Sequence, residues 1–127
     1  MKMGLLMTRD EVLQGLKERE ALDGTEKIFY GAMKPVASAN YFWIVSNQKG
    51  LYLLGVTGMG KLSGEVAFLE KEAVAEVSSK TSMMGMTYNL TIKETDGQVY
   101  KFMVNKKVMG HKTQKEEYLV VVAAYER

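Results

Sequence analysis

Residues 55–63 read GVTGMGKLS and continue an apolar run, LYLLGV, so two glycines and Lys61 stand at most of the spacing of a phosphate-binding loop. Such a loop wraps backbone amides around phosphates, sets its lysine on the β and γ groups, and needs serine or threonine directly after the lysine to hold magnesium. Here Leu62 follows Lys61, and Ser63 comes one position late, turned by about 100 degrees on a helix. Gly64 falls where that helix should be under way, and no apolar strand ending in aspartate follows as a second metal anchor. The stretch therefore reads as a hairpin connection.

Other chemistry is poorly served. His111 is the only histidine, so a histidine pair for metal or acid/base work is excluded, and in KKVMGHKTQK it reads as a surface residue before a helix. Glu70, Glu72 and Glu76 read as a solvated face rather than a paired acid and base. These residues predict a protein that is not an enzyme and carries no cofactor or metal.

The residues with potential for anion contact are Lys34, Lys61, Lys101, Lys106, Lys107 and Lys112, with Lys49 and Lys115 nearby in sequence. They are lysines with few aromatics interleaved, which suits weak contact with anionic lipid and argues against nucleic-acid recognition. A net charge of +2 points the same way, since it supplies no strong field for a polyanion.

The elements that must position these residues belong to one domain, because 127 residues suffice for one core and not comfortably for two. The absence of cysteine removes disulfides and thiolate sites and fits a reducing, cytoplasmic setting. The opening MKMGLLM reaches Thr8, Arg9 and Asp10 too soon for a signal peptide, and no apolar run approaches the roughly 18 residues of a membrane span.

Thr8 and Glu11 form a capping box, Met7 and Val12 a hydrophobic staple, and Val12, Leu13 and Leu16 an apolar stripe, which predict a short surface-lying helix stopped by the glycine of LDGT. KIFYGAM, YFWIVSN and GLYLLGV then read as strands, the last two joined by a turn at Asn47 to Gly50. YNLTIKETDGQVYKFMV alternates on both sides of Asp96-Gly97 and predicts a hairpin. In residues 64–79, Val66, Leu69, Ala73 and Val77 fit a helix, whereas Phe68-Leu69 and Val74 with Val77 fit two short strands, and periodicity leaves both readings open. Thr113 and Glu116 suggest a second capping box ahead of a closing helix that carries Tyr118, Val122 and Tyr125.

This order resembles the bacterial pleckstrin-homology-like domains, in particular the YokE-like group, over residues 23–125. The resemblance rests on GTEKIFYGAM after a helix, on YFWIVSNQKGLYLL and on YNLTIKETDGQVYKFMV. It implies a mainly β, α+β fold: two antiparallel sheets in a partly open barrel, a helical extension over residues 1–22 before a domain at 23–127, and a C-terminal helix plugging one end. It also implies that residues 64–79 are two strands, and that the glycine loop borders the barrel's open end, where eukaryotic relatives bind inositol phosphates. The basic cluster those relatives carry around the first hairpin is reduced here to Lys34.

Ten methionines are many for this length, and Met83, Met84 and Met86 crowd into one turn, SMMGMT. Flexible thioethers suit an adaptable apolar contact, so the turn is either a partner-binding surface or a loop folded back on its own core. The sequence thus predicts a non-catalytic interaction or scaffolding module that forms a homo-oligomer or meets a protein partner. A peripheral module for anionic headgroups is the alternative.

Overall fold

The computed structural model describes residues 8–18, 21–34, 40–57, 59–82 and 84–126. Helix α1, Arg9–Lys17, opens on Thr8, whose hydroxyl accepts from the Glu11 amide while the Glu11 carboxylate accepts from the Thr8 amide at 2.8 Å. This reciprocal pair satisfies two donors at the helix end, as the sequence predicts. Met7, the expected staple partner, lies outside the described residues. The helix stops at Lys17, before the expected glycine, and Gly24 instead turns the next loop at a φ of 91°.

The strands are β1 Lys27–Met33, β2 Asn40–Asn47, β3 Gly50–Val56, β4 Leu62–Glu70, β5 Val74–Thr81, β6 Thr87–Glu94 and β7 Val99–Asn105, and helix α2, Gln114–Ala124, follows them. Residues 64–79 resolve into β4, a 3-10 turn at Lys71–Ala73, and β5. Packing decided this. On a helix Val66 and Leu69 would share a face, but here Val66 packs outward toward α1 and Leu69 inward, the alternation of a strand.

Instead of two sheets there is one antiparallel sheet, in the order β4-β3-β2-β1-β7-β6-β5. Its halves are joined by a short ladder, Ala32 opposite Met103 and Met33 opposite Phe102. The sheet folds over at this joint, so that Phe29, Ile44 and Leu53 of one half share a core with Leu90, Phe102 and Val104 of the other. Tyr118 and Val121 of α2, with Tyr125 directly after it, fill the space between. Tyr118 stacks on Tyr88 at 4.5 Å and meets the edge of Phe29 at 5.0 Å. β4 and β5 end the sheet, which therefore stays open.

A second core lies on the outer face of β1 to β4, where Val12 and Leu16 of α1 meet Ile28, Trp43, Val45, Tyr52 and Leu54. Of the α1 stripe, Val12 and Leu16 are fully buried and Leu13 is half-buried, while Asp10, Glu11, Gln14 and Lys17 face out, so the helix lies on the sheet surface by its apolar face. Strands covered on both faces must be apolar throughout, and β2 and β3 read that way as YFWIV and LYLL. β6 is buried on one face only and alternates, with Tyr88, Leu90 and Ile92 inward.

Candidate functional site

Strand β1 pairs along its whole length with β2, but on its other side it meets β7 only near its C-terminal end. The backbone groups of Glu26, Ile28 and Tyr30 on that side would be left without a ladder. Side chains replace the missing strand. Gln114 accepts from the Tyr30 amide at 2.9 Å and donates to the Tyr30 carbonyl at 2.8 Å, so its carboxamide stands in for a peptide group. It also donates to the Asn105 carbonyl at 3.1 Å and so bridges β1 to β7 where they diverge.

One turn further along α2, Glu117 accepts from the Ile28 amide at 3.0 Å. His111 faces the Ile28 carbonyl at 2.9 Å through Nε2. A carbonyl can only accept, so Nε2 carries the proton. Arg9 completes the row, donating to the Glu26 carbonyl at 2.8 Å and to both Glu117 carboxylate oxygens at 3.0–3.1 Å. Burial pushes the Glu117 carboxyl up, but hydrogen bonds from Arg9, Thr113 and the Ile28 amide, with the Arg9 charge, outweigh it and hold the group below its ordinary value.

This cluster corrects two sequence expectations. His111 is not a surface residue: it is 3% exposed, with its ring edge-on to Trp43 at 5.6 Å. Thr113 and Glu116 do not form a capping box, because the Thr113 hydroxyl donates to Glu117 instead. Sequence reasoning missed Arg9, Gln114 and Glu117. The available signal was that Gln114 and Glu117 lie on the same helical face as Tyr118 and Val121, a stripe that should be apolar unless its polar members have partners.

The glycine loop is the β3–β4 hairpin connection. The Thr57 amide donates to the Lys61 carbonyl at 2.7 Å, and strand β4 follows directly where a phosphate loop would start a helix. Lys61 lies near Glu11 of α1, whose carboxyl it helps to hold low after the Thr8 bonds.

Of the methionine turn, Met83 lies outside the described residues. Met84 and Met86 are 83% and 69% exposed around Gly85, which has a φ of 74°, so these two do not fold back onto the core. The turn directly follows β5, and the Met86 carbonyl accepts from the Lys106 amide at 3.2 Å.

The six lysines do not form one patch. Lys34 and Lys101 are neighbours on the outer face of the β5–β7 half, where the Lys34 amide donates to the Lys101 carbonyl at 2.8 Å and its ammonium to Asn89 at 2.8 Å. Lys80, not anticipated from sequence, stands opposite Asn89 on the same face. Lys106 sits over the Tyr88 ring at 5.0 Å, Lys107 and Lys112 are exposed on the loop before α2, and Lys61 is on the β3–β4 turn. Turn and strand register, not sequence proximity, decide which charges meet.

Among the described residues, no group of three or more His, Asp or Glu side chains is placed to hold a metal ion, and no helix is long and apolar enough to cross a membrane. Comparison with known proteins finds no family model that matches this chain and no curated protein that matches it.

Proposed function

We propose that this protein is a non-catalytic interaction module of pleckstrin-homology-like fold that acts by self-association. The observation that carries the reading is the turn after β5, which holds Met84 and Met86 in water at the end of a sheet-edge strand. Exposed thioethers beside the terminal strand of a sheet suit contact with another protein surface. The strand order and the helix lodged inside the curled sheet are in keeping with the pleckstrin-like resemblance. A binding role is also favoured by the use of two buried titratable groups, His111 and Glu117, to hold β1. The test is solution mass by size exclusion with light scattering, on the native chain and with Met83, Met84 and Met86 changed to serine. A defined oligomer that dissociates on substitution supports the reading; a monomer in both forms ends it.

A second reading, peripheral contact with anionic headgroups, is favoured by one feature: Lys34, Lys80 and Lys101 surround Asn89 and Thr91 on an outer sheet face. Co-sedimentation with phosphatidylserine vesicles, compared with neutral vesicles and with the three lysines changed to alanine, tests it. Equal recovery on both vesicle types would remove it.

A further inference from the structure

Strand β5 ends the sheet, and its residues fall into two sets. The Ser82 amide donates to the Thr87 carbonyl of β6, and by the alternation of an antiparallel ladder Lys80 and Ser78 also direct their backbone groups to β6. Val77, Ser79 and Thr81 therefore direct theirs to the open side. Glu76, Ser78 and Lys80 are exposed on the outer face.

We infer that two copies of this chain join antiparallel through β5, with Ser78 opposite Ser78 of the partner subunit and Glu76 opposite Lys80 of the partner subunit. The inference rests on the self-association reading and specifies its geometry. Charge selects the register. Centring the pair on Ser78 creates two opposite-charge pairs by symmetry; centring on Glu76 or Lys80 sets like charges face to face, and centring on Val77 or Ser79 pairs neither charge with its opposite. The Ser78 register also sets Val77 opposite Ser79 of the partner subunit, so the open N–H and C=O groups of both residues face their counterparts. It carries the turn holding Met84 toward the partner's 3-10 turn. The other terminal strand, β4, is less suited: its register shifts between Leu54 and Val56 on β3, and its charged residues, Glu65 and Glu70, are both acidic.

The chain has no cysteine, so a single Ser78→Cys substitution reports on the pairing directly. Residues facing each other in a non-hydrogen-bonded antiparallel pair have Cα atoms about 4.5 Å apart, within disulfide reach. Under mild oxidation Ser78→Cys should yield a covalent dimer at least about tenfold faster than Ser63→Cys, an exposed control on β4. Glu76 also faces Lys93 of its own β6 at 3.4 Å, so the exchange is made in a Lys93→Ala background. There Glu76→Lys or Lys80→Glu alone should weaken the dimer on the order of tenfold, and the double exchange should restore it. Circular dichroism checks that each variant is folded. A monomeric native chain by light scattering overturns both the self-association reading and this interface. An oligomeric native chain in which Ser78→Cys shows no advantage over Ser63→Cys, or in which the double exchange does not restore association, overturns the β5 register and leaves self-association standing.

Discussion

Arg9 of the first helix and Glu117 of the last, 108 residues apart, close a two-pronged ion pair at 3.0–3.1 Å beside the open edge of β1. The same carboxylate accepts from the Ile28 amide, and the same guanidinium donates to the Glu26 carbonyl. The pair thus fastens both helices to one strand. Glu117→Ala should cost about 2–4 kcal/mol in urea unfolding, because it strands the Ile28 amide and removes the partner of Arg9. Arg9 is about a third exposed, so Arg9→Ala should cost less than Glu117→Ala. The double-mutant cycle should give a coupling of about 1 kcal/mol or more. Additive effects would show that the pair does not act as a unit.

The pH dependence follows in sign. The Glu117 carboxyl is lowered from an ordinary value of 4.5, so between its folded value and 4.5 the unfolded chain binds more protons. Its contribution is complete above that ordinary value and is lost as pH falls through the folded one. Asp23, held low first by the Thr25 hydroxyl, and Glu11, held low first by the Thr8 amide, act in the same direction. Thermal melts should therefore show a steeper loss of stability on acidification below about pH 4.5 in the native chain than in Glu117→Gln. Parallel acid limbs would contradict the assignment.

His111 ties the last loop to β1, donating through Nε2 to the Ile28 carbonyl at 2.9 Å. His111→Ala should destabilise by roughly 2–4 kcal/mol, since it opens space against Trp43 and leaves the Ile28 carbonyl without its donor. Trp43, the single tryptophan and fully buried, reports on this directly through its fluorescence during denaturation. An unchanged midpoint would show that the hydrogen bond contributes little.

Gly50 begins β3 at a φ of 149°, and a Cβ there would lie 2.0 Å from the Leu69 carbonyl oxygen. A backbone atom cannot swing away as a side chain can. Gly50→Ala should therefore cost at least about 2 kcal/mol, measured by the shift in urea midpoint at unchanged slope. Gly85→Ala is the contrasting case: its φ of 74° is strained for alanine, but nothing lies within 4 Å of the added carbon, so the loss should be smaller.

Local chemistry was legible in the sequence. The Thr8–Glu11 box, the hairpin around Asp96-Gly97 and the continuous apolar runs of β2 and β3 each depend on residues close in the chain or on burial of a single strand. The same locality made Lys61 readable as part of a turn, because a phosphate loop must announce its helix in the next few residues. Residues 64–79 were ambiguous for the opposite reason. Four apolar positions fit two periods, and the core on each side of the sheet made the choice.

What the sequence by itself determined is the elements outside residues 64–79, their order and the apolar faces they must bury. What only the tertiary structure decided is which polar groups meet. Arg9, His111, Gln114 and Glu117 are unremarkable one by one, and they became a substitute strand because β1 and β7 part after a two-residue joint and leave backbone donors and acceptors to be satisfied. The lysines separate for a related reason: strand pairing set Lys34, Lys80 and Lys101 on one face and sent Lys106 over Tyr88. Pairing between distant strands is a property of the whole chain, and no short stretch encodes it.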